Sequence, residues 1–118
     1  MGIQLKRAYD PPAKGDGFRV LVDRMWPRGL SKDVLKLDLW LKEVGPSTAL
    51  RKWFNHDPAK WDEFRTRYFQ ELDAHTNEVR MLRDKMRAGP VTILFGSKEQ
   101  RFNNAVVLNE YLECHRAK

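Results

Sequence analysis

The sequence predicts an α/β fold, a small three-layer sandwich around a mainly parallel sheet of few strands. Three observations carry that expectation. "VTILF" at 91–95 is apolar, rich in β-branched residues and bounded by Pro90 and Gly96, as a buried strand requires. Val20-Leu21-Val22 is a second continuous apolar run and fits a strand covered on both faces. Between these strands the apolar period turns helical: Trp61, Phe64, Tyr68 and Leu72 recur at spacings of three and four.

Taken in order, the chain opens with "IQLKRA", where Ile3 and Leu5 alternate with Gln4 and Lys6 in the period of a half-exposed strand. "YDPPAKGDG" is a loop by its Pro, Gly and Asp content. The second strand, "RVLVDRMW", follows after a connection short for a parallel crossover, which leaves the relative direction of these two strands open. "PRG" at 27–29 turns the chain, and Ser31 caps a short helix with Asp33 in its first turn. In "DLWLKEVG", Leu39, Trp40 and Val44 form an apolar surface. Ser47 caps the helix "TALRKWF".

Asp57 and Pro58 then supply the cap and first position of the longest helix. Its Tyr68 is expected in the core with the hydroxyl at the rim. Thr76 is expected to cap the next helix, with Val79, Leu82 and Met86 inward and Gly89-Pro90 as its stop. After the 91–95 strand, "GSKEQRFN" is a loop. Asn103 or Asn104 caps the last helix, which turns Ala105, Leu108 and Leu112 inward. The expected order is therefore β-β-α-α-α-α-β-α.

At 118 residues the chain is expected to form a single α/β domain, 1–118, with one ordinary core. With 42% hydrophobic and 32% charged residues it reads as globular rather than disordered. No apolar run approaches the ~18 residues of a membrane span. The N-terminus has no signal-peptide core, and Lys6 breaks a myristoylation motif at Met1-Gly2. A single cysteine, Cys114, excludes an intramolecular disulfide and fits a reducing cytoplasm. His56, His75 and His115 show no ligand spacing with one another or with Cys114, so no metal is expected. No cofactor is indicated. The net charge of +6 favours an anionic partner, although 16 acidic residues are interspersed. Oligomeric state is not encoded in any pattern of the chain.

In open α/β sheets, ligands bind beyond the carboxyl ends of the strands. Two such ends carry unusual residues. The second strand runs into Asp23, Arg24, Trp26 and Arg28, and the last runs into Gly96, Ser97 and Lys98 before the helix at Asn103-Asn104. If both strands point the same way, these ends share one mouth. Gly96 would let backbone approach a ligand, and the helix start would favour an anion. The expected ligand is a small anion, a class that includes phosphorylated molecules. Arg24 and Arg28, oriented by Asp23, would hold it. Trp26, Ser97, Lys98, Asn103 and Asn104 would complete the cradle. Arg51, beside Lys52, adds a clamp for a carboxylate or phosphate. As candidate catalytic groups, Asp23 stands first and His56 second.

The competing reading is structural: Asp23 pairs to close the sheet and Trp26-Pro27 plugs a gap. The functional alternative is a nucleic-acid module that uses Arg80, Arg83 and Arg87 on one helical face. A third is an interaction protein without chemistry.

"LKRAYD", "GFRVLVDRMWPRG", "WLKEVGPSTALRKWF", "FRTRYFQEL" and "VTILFGSKEQRFNNAVVL" together resemble the YeaO-like branch of a large bacterial family of unknown function. The likeness runs through nearly the whole chain in the same order. It implies a small, soluble, cytoplasmic α/β protein with no established activity. The wider family carries Val-Asp-x-Arg after its second strand, to which Val22-Asp23-Arg24 is similar. That family also has a Cys after the last strand and Cys-His-Arg at the start of the final helix. Here Phe95 and Asn103-Asn104-Ala105 stand at those places, which speaks against thiol or metal chemistry. Cys114-His115-Arg116 spells the same triplet at the wrong end of that helix.

Overall fold

The computed structural model describes residues 3–114, apart from the side chain of Cys114. The Met1-Gly2 start and the Cys114-His115-Arg116 side chains lie outside the described residues. The fold is α/β, built on a four-stranded sheet of order β1-β4-β2-β3 in which every pairing is parallel. The strands are β1 (Ile3–Arg7), β2 (Phe18–Leu21), β3 (Leu39–Trp40) and β4 (Val91–Phe95). The helices are α1 (Lys32–Leu35), α2 (Thr48–Phe54), α3 (Trp61–Asp73), α4 (Thr76–Ala88) and α5 (Asn104–Cys114).

β4 is buried at all five positions because it is central and covered on both faces. Val20, Val22, Val91, Ile93 and Phe95 pack on one face against the side chains of α2 to α5. Leu21 and Leu94 face the other way, onto Leu35 and Ala8, with Trp26, Leu30, Leu37 and Trp40 packed around them. The second layer of cover is thus α1 and the chain flanking it.

The first two strands are parallel, which settles the direction left open by their short connection. β1 and β2 flank β4, so residues 8–17 must return across the amino end of β4. Gly17 permits the crossing. Its φ is 64°, and a Cβ there would stand 2.3 Å from Pro90 O. Phe18 N then donates to Pro90 O at 3.0 Å, and β2 begins.

Most helix starts fall where expected. The Ser31 and Ser47 hydroxyls accept from Val34 N and Leu50 N, and the Asp57 carboxylate accepts from Ala59 N. Asn103 Oδ1 accepts from Val106 N at 3.0 Å, so Asn103 caps α5. Three expectations need correction. Residues 38–45 contribute a fourth strand: Leu39 and Trp40 pair with Val20 and Leu21 at the sheet edge, a segment too short to show alternation. Thr76 does not cap α4. The turn from α3 is so tight that His75 takes the cap position and Thr76 is already helical. The Tyr68 hydroxyl is not at a rim but fully buried, donating to Val44 O.

Candidate functional site

β2 and β4 are parallel neighbours, so their carboxyl ends leave the sheet side by side. Val22 N still donates to Leu94 O at 3.2 Å, and Asp23 is the first residue beyond. Its carboxylate turns across to the other strand: Oδ2 accepts from Gly96 N at 2.7 Å, and Oδ1 accepts from Asn104 Nδ2 at 2.9 Å. A Cβ on Gly96 would lie 3.2 Å from Oδ2, a tight contact that glycine spares. The backbone carbonyl of Asp23 accepts from Trp40 Nε1 at 2.7 Å. One aspartate thus ties the ends of β2, β3 and β4 to the start of α5. Burial pushes the Asp23 carboxyl above its ordinary value, against the opposing pull of Asn104, Gly96 N and the Arg51 charge.

The next residue holds the opposite wall. Arg24 Nε donates to Gly45 O at 3.0 Å and Pro46 O at 2.9 Å. Gly45 lies flat against the strand end, where a Cβ would come within 2.8 Å of Val22 O. Tyr68 seizes the carbonyl just before it, and Glu71 accepts from both Ser47 N at 2.8 Å and Ser47 Oγ at 2.6 Å. α3 therefore fixes the start of α2. Burial raises the Tyr68 phenol, with the Asp23 and Glu71 charges adding to it, so it stays a neutral donor. α2 ends with Asn55 and His56 at φ values of 47° and 57°, a left-handed pair that is costly for histidine.

Between these walls lies a cleft of about 700 Å³. Of the residues singled out in the sequence, Asp23, Arg24, Arg51, His56, Ser97, Asn103 and Asn104 line it. Lys98 sits instead at a neighbouring depression shared with His56, Ser97 and Glu99. Arg28 is exposed and lies outside the cleft lining; its carbonyl accepts from Tyr9 Oη at 2.9 Å. Trp26 turns to the far face of the sheet, edge-on to Trp40 with ring centroids 5.3 Å apart, and donates to Leu30 O. It packs there against the cluster of Ala8, Leu21, Leu35 and Leu94.

Several polar groups already have internal work. Asn103 Nδ2 donates to Glu99 O at 2.8 Å while its oxygen caps α5. Ser97 Oγ accepts from Glu99 N at 3.0 Å, and Arg7 Nε donates to Ser97 O at 2.9 Å. The cations are less engaged. Among the described residues, no protein hydrogen bond is made by the two Nη groups of Arg24, and Arg51 meets only the Met25 sulfur at 3.5 Å. Lys52 also lines the cleft. The charged lining is three cations, Arg24, Arg51 and Lys52, against the one carboxylate of Asp23.

Sequence reasoning missed the aromatic lining of Phe54, Phe64 and Phe102. Phe54 and Phe64 have the spacing of core residues, and they are core: their rings stack at 4.4 Å. What the sequence hides is that one side of this core is open. The basic helix face is less continuous than its spacing implies. Arg80 is exposed, but Arg87 pairs with Asp84, and the Arg83 guanidinium lies 6.0 Å from the Tyr111 ring centroid. Among the described residues, no group of three or more His, Cys, Asp or Glu side chains is placed to hold a metal ion. No helix there is long and apolar enough to cross a membrane.

Fold and site together define an α/β protein with a polar-and-aromatic cleft at the carboxyl edge of a parallel sheet. The chain belongs to the family described as the inactive DUF488-N3 subclade, whose profile matches residues 2–118. It is 46% identical over 112 residues to the uncharacterized protein YeaO of Escherichia coli (strain K12), covering 95% of this chain and 97% of that one. It is 42% identical over 92 residues to the uncharacterized protein Rv3073c of Mycobacterium tuberculosis (strain ATCC 25618 / H37Rv), covering 76% of this chain and 78% of that one. The same figures hold for the uncharacterized protein Mb3100c of Mycobacterium bovis. No solved structure matches the chain significantly. Where the wider family is expected to carry Cys and Cys-His-Arg, Phe95 is buried in the sheet, and Asn103, Asn104 and Ala105 cap and begin α5.

Proposed function

We propose that this protein binds a small organic anion in the cleft at the ends of β2 and β4. One observation carries the reading: the cleft is lined by three cations and one carboxylate, and that carboxylate is already occupied by Gly96 N and Asn104. The positive excess lies on the cleft wall, with Arg51 and Lys52 at its exposed rim, where it can draw in an anion. The start of α5 adds its partial positive charge on the same side. Asp23 acts as a positioning residue in this reading. The ligand's negative group sits at Arg51 and Lys52. The family's description as inactive supports binding rather than turnover. Were the cleft to turn a substrate over, Asp23 is the group whose proton affinity is perturbed, and it would serve as the acid–base residue.

The test is a 15N–1H titration with sodium phosphate and with benzoate at constant ionic strength. Shifts confined to the amides of Gly96, Asn104 and the 51–56 segment, lost in Arg51→Ala/Lys52→Ala, are the expected result. These two side chains are exposed, so the variant keeps the fold. Arg24→Ala is a poorer probe, because Arg24 also holds the 45–46 carbonyls. Absence of shifts at millimolar anion, or shifts that survive the double variant, would overturn the reading.

A further inference from the structure

Resting on that reading, we infer that the ligand is an aromatic acid: a planar ring seated against Phe102, at the open edge of the aromatic cluster, with its anionic group held by Arg51 and Lys52. The first argument is size. A cleft of about 700 Å³ is within the range of sites that enclose a whole organic molecule, and far larger than an inorganic anion fills. A tetrahedral ion at Arg51 and Lys52 would leave the rest of the lining wet.

The second argument is what that remaining lining is made of. Phe54, Phe64 and Phe102 contribute rings, and Pro46 and Met25 contribute further apolar surface. The rings hold one another in place. Phe54, Phe64 and Trp61 form a triangle, with centroids 4.4, 5.6 and 5.9 Å apart, while Phe102 stands edge-on to Trp61 at 5.1 Å. Phe54 and Phe64 are themselves buried and back the cleft, so Phe102, packed on Trp61, is the ring that presents a preorganised face, which favours a flat partner over a flexible chain because neither side loses rotamer freedom. Phe102 is the half-buried member and the ring most open to a ligand.

The third argument is Met25. It is 61% exposed, on the residue after Arg24, with its sulfur 3.5 Å from Arg51 Nη2. Nothing in the core requires a thioether there. Unbranched and polarisable, it is suited to settle on the edge of a bound ring. Met25 thus stands beside the cationic group, where its sulfur can meet the ring that carries the anionic group.

Calorimetric titration with inorganic phosphate, phenyl phosphate, phenol and hexanoate tests the inference. Phenyl phosphate is expected to bind roughly tenfold or more tighter than phosphate or hexanoate, the scale a good aromatic contact supplies. Phe102→Leu, which keeps apolar volume, should remove that advantage and leave the phosphate response unchanged. Equal affinity for phosphate and phenyl phosphate, or for hexanoate and phenyl phosphate, overturns the aromatic class while the anion reading stands. Phenol binding as tightly as phenyl phosphate overturns the anion reading and this one with it. No binding by any of the four does the same. If Phe102→Leu lowers the melting temperature, Met25→Ala serves as the second variant. It is expected to weaken phenyl phosphate alone, and an unchanged affinity counts against the seat.

Discussion

Asp23 and Asn104 lie 81 residues apart in the chain, yet their side chains meet in a 2.9 Å hydrogen bond that joins the end of β2 to the start of α5. The carboxylate's other oxygen holds Gly96 N, so Asp23→Ala takes the acceptor from this half-buried amide and leaves Asn104 Nδ2 only Val22 O, at 3.3 Å. The expected loss is about 1–2 kcal/mol, because an unmet donor costs its desolvation. Asn104→Ala should cost about 1 kcal/mol, since Asp23 keeps Gly96 N. In urea unfolding, the double variant should lose less than the sum of the two, by about 0.5 kcal/mol or more. Strict additivity would show that the two residues do not act as a unit.

The acid stability profile carries two opposing carboxylates. Burial acts to raise Asp16, but hydrogen bonds from Ala13 N, Lys6 and Arg19 outweigh it and hold Asp16 below its ordinary value of 3.8. Its stabilising contribution is present above 3.8 and is lost as pH falls through the lowered folded value. Asp23 is raised, so the native state holds its proton longer than the unfolded chain. Its carboxylate takes stability away as pH rises from 3.8 through the raised folded value. Measured from pH 3 to 7, the advantage of wild type over Asp16→Asn should therefore grow with pH. The advantage of wild type over Asp23→Asn should shrink. Parallel curves for either variant would contradict the assignment.

Two glycines frame the cleft, and they should differ in tolerance. At Gly45 a Cβ would meet Val22 O at 2.8 Å and Arg24 N at 3.0 Å, both backbone atoms that cannot step aside. At Gly96 the only close atom among the described residues is the Asp23 carboxylate oxygen at 3.2 Å, the end of a side chain that can yield by a few tenths of an ångström. Gly45→Ala is expected to cost about 1–3 kcal/mol, as overpacking does, and Gly96→Ala clearly less. Thermal melts of the two variants decide it, and a larger shift for Gly96→Ala would refute the ranking.

The legible parts of this molecule are those in which local chemistry and tertiary environment agree. β4 announces itself because its burial on both faces requires the continuous apolar run that the sequence shows. The caps at Ser31, Ser47, Asp57 and Asn103 are legible because each satisfies amides within its own turn. β3 is not, because a two-residue edge strand gives no period to read. The strand-end site was half legible. Asp23, Arg24 and Asn104 stand out as polar groups at places where a strand or helix changes. The aromatic half was hidden, since Phe54 and Phe64 obey the same spacing whether their far side meets protein or a cleft. Glu71 was invisible for another reason. Its role is to clasp Ser47 from a different helix, and no local pattern encodes a contact across 24 residues.

The same blindness covered Arg19, whose side chain lies buried at the amino end of β2, opposite the cleft. Its Nη1 meets Asp16, its Nη2 donates to Leu35 O at 2.8 Å, and its Nε is shared between Leu35 O and Lys36 O at 3.2 Å. One guanidinium therefore satisfies an internal carboxylate and the closing carbonyls of α1 together, a task that a planar fork of donors can perform and an ammonium cannot. Arg19→Met leaves Asp16 with only Lys6 as a charged partner and strands the α1 carbonyls. The expected cost is about 3–5 kcal/mol, the range for breaking one side of a buried ion pair. Arg19→Lys should recover a minor part of it. Pairing Arg19→Met with Asp16→Asn should cost less than the two changes summed, because the carboxylate that the first change exposes is neutralised by the second. Denaturant unfolding of the four proteins measures this. Because the cluster sits at the other end of the strands, the phosphate-induced shifts at Gly96 and Asn104 should persist in every variant that remains folded.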